Sequence, residues 1–577
     1  MRKPMNMKLR AGFLTMSYEQ GFLRDINYND IPFINMIYFN IRTKNWDTIP
    51  MSMVVEDIVQ EVDCFSISYE AVSKKGEIEM YWKITITGSA KGFLNFRVSG
   101  KALSTFKRNR VGLCVLHPVP GNQSRKFLVE QTNGIHADHR FPRFISPQII
   151  CTDIRSITWN IDESVSANIT CLGDAFEMED HRNWADYSFK TYCTPLSRPF
   201  PVEVRKDEEI QQTVMVSLQN ASYKKTNPSK EVNILVGSRK FNMPFIGVGR
   251  TSHSEKLNDK ILKEIKKIGF CHYRTELYPG IGNWQSDLLL AATEAKTLHT
   301  GLEIFLFLSA DFTSEIEEFL KIGIGEKEIK QIAILPRNEC IAINPMLEKA
   351  VPLLKNRYPS VPLGSGTTSH FAELNRSDLN PVLLDFVTYS ANPQVHATDN
   401  KTIIENLPAL GETIISAKQK FPSRKTHVSP LIFINPDKKG KINDSVVWID
   451  PRLKTSFGAG WLVGSLQSIV LSGADSVTCL ETLGENGLFE TVTEPKTKKN
   501  PLIKVFKEVL KWKFLFPVSC HQPNVISCLV FKKAKKTLYI LANHTDCRQK
   551  VCIRNDSTNK ILIRKTLFPY QVRFLYC

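Results

Sequence analysis

Five stretches of the sequence set carboxylates, amides, an arginine or a histidine just where an apolar run ends. They are His272-Tyr-Arg274-Thr-Glu276, Pro336-Arg-Asn338-Glu339, His370-Phe-Ala-Glu373-Leu-Asn375-Arg376, Asn392-Pro-Gln394-Val-His396 and Glu481-Thr482. Such groups suit a polyhydroxylated substrate: amides and arginine pair with hydroxyls and a carbonyl, and a carboxylate serves as general base or acid. For any one of these residues a loop salt bridge or a satisfied rim histidine is the commoner role. As a set they exceed what loop composition supplies, because clustered carboxylates are costly unless function needs them. Glu481 or Glu373 is the expected base, Glu339 the next candidate, and His396 the group that protonates a departing oxygen. His272, Arg274, Glu276, Asn338, Asn375, Arg376, Asn392 and Gln394 are expected to hold hydroxyls and the carbonyl.

The pattern also narrows the reaction. Asn338-Glu339 resembles the acid/base pair of many barrel glycosidases, but a retaining glycosidase needs a second carboxylate about 5 Å away. The strand that commonly supplies it reads His427-Val-Ser-Pro-Leu-Ile-Phe-Ile-Asn435 here, without a carboxylate. This shifts the expectation from acetal cleavage to a hydrolysis needing one base. Gly-x-Ser-x-Gly, Gly-x-Gly-x-x-Gly and Gly-Lys-Ser/Thr are absent, so a serine elbow or a nucleotide loop is not indicated. Gly364-Ser-Gly-Thr-Thr reads as a glycine-rich strand rather than a phosphate cradle. No Cys/His group has zinc-ligand spacing, and neither metal nor cofactor is expected. A second polar run, Gly173 to Leu196, is too rich in charge and aromatics for a sandwich strand. Two readings of it stand: a domain-interface network, or a loop over the barrel mouth in which Glu177, Asp180, Asn183 and Lys190 contact substrate.

The elements that must position these groups follow from periodicity. From about residue 240 strands alternate with amphipathic helices, the signature of a parallel sheet. Phe245-Ile-Gly-Val-Gly opens the series, and the following helix carries Leu257, Ile261, Leu262, Ile265 and Ile268 before Gly269. Further strands are expected at 270–276, 302–308 and 329–335, then ending near Gly366, then at 384–390, 428–434 and 477–481. Eight such units in about 275 residues match a (β/α)8 barrel, whose site lies at the C-terminal ends of the strands. Interior strand positions are expected to be apolar. The first 235 residues read as short alternating strands, such as Phe65-Ser-Ile-Ser-Tyr, and so does the tail from Val525. The fold class is therefore multidomain α/β plus all-β, a central (β/α)8 TIM barrel flanked by β-sandwich-type domains. The expected boundaries are 1–235, 236–518 and 519–577, with a polar linker near 220–231.

Composition agrees. The chain has 577 residues, 42% hydrophobic and 23% charged, which is too long for one core and too apolar for disorder. The thirteen cysteines include no Cys-x-x-Cys and read as core thiols. A formal charge of +17 raises the question of nucleic acid, but the lysines are spread over helix faces and no nucleic-acid module is present. No stretch offers the roughly 20 apolar residues of a membrane span, and the basic N-terminus lacks an apolar leader core. The expectation is a cytoplasmic enzyme without nucleic-acid or membrane partners; the sequence does not specify its oligomeric state.

The block Phe176-Glu-Met-Glu-Asp-His-Arg-Asn-Trp-Ala-Asp-Tyr-Ser-Phe-Lys-Thr-Tyr-Cys-Thr-Pro-Leu196 resembles the bacterial D-apionate lactonases. Gly21-Phe-Leu-Arg24, Asn45-Trp46, Gly112-Leu-Cys-Val-Leu-His117, Glu373-Leu-Asn-Arg376 and Asn392-Pro-Gln-Val-His-Ala397 support the resemblance in the same order. It implies a β-domain, a barrel and a small β-domain in sequence. It also implies hydrolysis of D-apionolactone to D-apionate during bacterial use of the plant sugar apiose. A glycoside hydrolase acting on apiose-containing saccharides and a non-catalytic carbohydrate-binding protein are the alternatives.

Overall fold

The computed structural model describes residues 7–223, 231–251, 256–434, 450–484, 486–490, 500–534 and 536–577. The chain divides into two compact units, Met1–His181 with Tyr187–Pro228, and Arg182–Asp186 with Ser229–Cys577.

The first unit is a large antiparallel β-assembly of seventeen strands. Its strands show the period of two that one buried face demands. In Ile78–Gly88 the residues Ile78, Met80, Trp82, Ile84 and Ile86 are buried, while Lys83 and Thr85 are exposed. Phe39 and Trp82 pack with ring centroids 5.1 Å apart in a core that runs through the whole unit.

The second unit contains the barrel. Its strands are Phe245–Gly249, His272–Leu277, Gly301–Leu308, Ile329–Pro336, Leu363–Gly366, Phe386–Ala391, Lys425–Leu431 and Ser476–Leu483. Each pairs in parallel with the next, and the ring closes where Phe245 and Ile246 pair with Ser476 and Val477. The helices are α1 (Asp259–Lys266), α2 (Trp284–Leu298), α3 (Phe312–Lys321), α4 (Asn344–Arg357), α5 (Phe371–Arg376), α6 (Asn400–Glu405), α7 (Leu407–Lys420), α8 (Ser456–Leu471) and α9 (Pro501–Val509). Asn258 caps α1 by accepting from the Ile261 N–H, and Ile261, Leu262 and Ile265 form its buried face.

The chain outside the barrel in this unit forms two small sheets and a short ribbon of Phe241–Asn242 with Phe514–Leu515. Val232–Val236 runs parallel to Gln549–Asn555 and antiparallel to Val518–Cys520, so the strand that straddles residue 235 pairs with the C-terminal tail. Ile526–Lys533, Lys536–Asn543 and Val572–Tyr576 make the other sheet. Val232, Ile234, Val236, Cys528, Val530, Leu541, Val551 and Ile553 share one core, which makes the pair a sandwich. No helix among the described residues is long and apolar enough to cross a membrane.

Candidate active site

Alternation along the second barrel strand decides what faces the barrel interior. Tyr273 points outward, its hydroxyl donating to Glu294 of α2 at 3.0 Å. His272 points inward and reaches the Thr478 hydroxyl of the eighth strand at 2.8 Å. Gly247 makes room for that ring, since a Cβ there would lie 2.1 Å from it.

The interior is not apolar at this level, contrary to expectation. Glu303, fully buried on the third strand, accepts from Gln331 Nε2 at 2.5 Å, Thr478 Oγ1 at 2.5 Å and Ser429 Oγ at 2.9 Å. His272 Nε2 lies 3.4 Å from the same carboxylate. Burial alone would push the Glu303 carboxyl up; His272, Thr478 and the Arg274 charge outweigh it and hold the group well below the usual carboxylate range. Gln331 spends its second N–H on His427 Nδ1 at 3.3 Å, and Phe386 stacks on the His427 ring at 4.2 Å. Burial lowers His427 to about 4, so its ring is neutral and free to accept. A carboxylate persists inside the barrel because donors from four other strands satisfy it.

Above this layer stands Arg274, two residues beyond His272 and equally inward. Its guanidinium lies 4.0 Å over the Phe305 ring, and Nη2 donates to Glu276 Oε1 at 2.6 Å. Its Nε is buried with no hydrogen-bond partner among the described residues. Glu276 is exposed at the mouth and also accepts from Tyr278, which stacks on Phe307 at 4.6 Å. Gly249 is the register partner of both Arg274 and Glu481. A Cβ at that glycine would stand 3.5 Å from Glu481 Cγ, so the missing side chain leaves space between the arginine and the half-buried glutamate.

A second cluster gathers at the ends of the fifth and sixth strands, around Arg182–Asp186. His396 Nδ1 pairs with Asp186 Oδ2 at 2.6 Å, and Asn406 donates to the other Asp186 oxygen at 2.8 Å. Trp184 meets His370 and His396 edge-on, with centroids 5.5 and 6.2 Å away, and the Arg376 guanidinium lies 5.4 Å from its centroid. Asn375 donates to Asn183 at 2.9 Å, and Arg182, fully buried, pairs with Glu412 of α7 at 2.9 Å. Glu373, on α5, has one carboxylate oxygen buried without a partner among the described residues.

The remaining candidates make other contacts, although Asn392 lines a small pocket with Ala185 and Asn406 of the second cluster. Gln394 donates to the Phe433 carbonyl at 2.9 Å and to Asp450 at 3.2 Å, and accepts from Arg452 at 3.3 Å. Burial opposes ionisation of Asp450, but Arg452 and Gln394 together lower its carboxyl. Asn392 accepts from the Gln394 N–H, and its buried Nδ2 has no described partner. Asn338 and Glu339 are exposed beyond the fourth strand. Asn435, the last residue of the stretch read for a second carboxylate, lies outside the described residues. In the first unit, Glu177 accepts from Tyr192 and the Leu196 N–H, each at 2.6 Å; burial raises its carboxyl. Lys190 pairs with Glu179 at 3.3 Å, and Asp180 accepts from the Ser146 N–H at 3.0 Å. A groove of about 590 Å³ at the opposite, N-terminal end of the strands is lined by exposed Lys296, Lys327 and Lys330 and by none of the candidates.

Asp186, Trp184, Asn406 and Glu303 were not singled out by sequence. Asp186 stands within the polar block but 210 residues from His396, so spacing carries no sign of their pairing.

Residues 1–221 match the family described as D-apionate lactonase, N-terminal domain, and residues 246–514 match D-apionate lactonase, TIM barrel domain. The chain belongs to the D-apionate lactonase family. A D-apionate lactonase of Brucella anthropi is 26% identical over 606 aligned residues, covering 99% of this chain and 97% of that one. The chain is thus a lactone-hydrolysing enzyme, and the two clusters are the candidate machinery of a lactonase. Among solved structures, a GH30 endoxylanase from Clostridium papyrosolvens C71 is similar at TM-score 0.37 and 10% identity, covering 60% of this chain and 97% of that one. A beta-arabinopyranosidase is similar at TM-score 0.27 and 9% identity, covering 99% and 98%. Likenesses this distant carry no functional weight.

Proposed function

We propose that this lactonase opens D-apionolactone to D-apionate, with Glu481 as base, Arg274 as the donor to the carbonyl and His396 as the acid. The observation that carries this reading is the Asp186–His396 pair, 2.6 Å apart, with Asn406 fixing the far oxygen of Asp186. A carboxylate on Nδ1 sets the tautomer and raises the basicity of the imidazole, directing proton transfer to Nε2. Glu481 takes a proton from water as the water oxygen bonds to the lactone carbonyl carbon. Negative charge then grows on the carbonyl oxygen, where the Arg274 guanidinium stabilises it. When the ring C–O bond breaks, His396 gives its proton to the leaving oxygen, and the product leaves as a hydroxy acid. The second and eighth strands, on either side of the first, carry Arg274 and Glu481, and the fifth and sixth lead into the His396 cluster, so the two groups lie on opposing arcs of the mouth. A substrate with hydroxyls beside the carbonyl also suits Glu276, Arg376 and Asn375.

The test follows proton release from D-apionolactone and a panel of aldonolactones at neutral pH, against the spontaneous rate. Fast release confined to D-apionolactone supports the reading. Release from another lactone replaces the substrate. No release from any lactone overturns the reading, and apiose-containing glycosides become the next panel.

A further inference from the structure

Of the polar layer beneath Arg274, His272 alone was assigned to substrate from the sequence, and it is bound instead to Thr478 beside Glu303. The layer's central member, Glu303, is the register partner of Arg274 on the adjoining parallel strand, so the two side chains leave the sheet on the same face. Phe305, next inward after Glu303, carries the Arg274 guanidinium on its ring at 4.0 Å. Glu303 is itself immobilised by Gln331, Ser429 and Thr478, from three strands other than its own. We propose that Glu303 is a positioning residue for lactone hydrolysis: a fixed, buried anion that holds the Arg274 guanidinium over Phe305, where it meets the lactone carbonyl.

This inference rests on the reading of Arg274 as the carbonyl donor. The arginine is otherwise anchored by Glu276, which is exposed at the mouth. A surface carboxylate alone exchanges readily with water and is a poor anchor for a group that must be placed before reaction. The buried anion supplies a fixed one. A purely structural Glu303, tying the barrel strands together, would also explain its hydrogen bonds, but it would act on folding and not through Arg274.

A double-mutant cycle separates the two. Arg274→Met is expected to cost on the order of 10²-fold in kcat, as loss of one oxyanion donor does. Glu303→Gln, which keeps the shape and loses the charge, is expected to cost about 10-fold in kcat with KM little changed, and Glu303→Asp to recover part of the loss. The decisive expectation is that Glu303→Gln costs nothing further, within about twofold, in the Arg274→Met background. Equal losses in both backgrounds would overturn the proposal and leave a structural residue. If Glu303→Gln does not fold, Glu303→Asp runs the same cycle. An Arg274→Met enzyme with full kcat would remove the reading of Arg274 itself, and the inference with it.

Discussion

Asp186 is within hydrogen-bonding distance of both His396 and Asn406, so its two oxygens are committed and the imidazole has one orientation. Replacing it with Asn leaves the shape and removes the charge that supports an imidazolium. Asp186→Asn is expected to lower kcat by about 10²-fold while thermal stability changes little, and His396→Gln to do the same. A kcat within twofold of the parent for either would take proton transfer away from this pair. Histidines elsewhere make a different prediction. His544 is buried against Ser527 Oγ at 2.8 Å, and burial lowers it to about 4. Its folded value lies below its unfolded one, so the unfolded chain binds the proton more readily. The enzyme then loses stability as pH falls from about 6.5 towards 4, by an amount on the order of a few kcal/mol per ring. His117, lowered to about 3 by burial, adds to the same slope. Melting temperature should fall across that window and less steeply in His544→Asn; an unchanged slope in that variant would assign the loss to other groups. Sequence made His396 legible because it follows an apolar run. It left Asp186 hidden, because only folding brings two residues so distant in the chain together.

At the scale of elements, the helix pair α7 and α8 depends on glycine. A Cβ at Gly464 would lie 2.5 Å from Leu407 Cδ1 and 2.9 Å from Ser527 Oγ, so one position brings α8 against both α7 and the C-terminal sandwich. Gly411 does the same from α7, where a Cβ would stand 2.4 Å from Ser472 Oγ. Gly464→Val is expected to cost roughly 1–3 kcal/mol through overpacking, read as a fall in melting temperature, whereas Lys349→Val at an exposed position of α4 should cost less than about 1 kcal/mol. The eight barrel strands were legible because apolar runs bounded by turns recur with helical faces between them. Their ends shifted where the run outlasts the ladder: the seventh was expected at 428–434 and forms at Lys425–Leu431. Helix α3 carries only Ile316 and Phe319 as buried apolar residues, too faint a stripe to single out. The polar layer was missed for a related reason. Strands covered on both faces read as continuous apolar runs, and a lone Glu303 or Gln331 within one looks like noise until its donors are in place.

For the whole molecule, the question is whether the tail is a separable domain. Val232–Val236 lies between two tail strands, Val518–Cys520 and Gln549–Asn555, so the strand that leads into the barrel gets every partner of its ladder from the C-terminal end of the chain. Barrel helix α8 is tied to the same body: Gln467 Oε1 accepts the Cys528 N–H at 2.8 Å, and Gly460 approaches Ala542 and His544. Ending the chain at residue 517 therefore does more than delete a β-domain. It uncovers Val232, Ile234 and Val236, leaves their backbone groups without a ladder and bares one side of α8. Each buried apolar side chain exposed in this way costs about 1.5–3 kcal/mol, and three of them reach the size of a domain's whole stability. The expected outcome is a truncated chain that aggregates or elutes as an expanded species, with no cooperative melting. Supplying residues 518–577 as a separate peptide during refolding should restore part of the soluble, active enzyme. A truncated chain that stayed monomeric, melted cooperatively and kept its turnover would show that the barrel closes without its C-terminal partner strands.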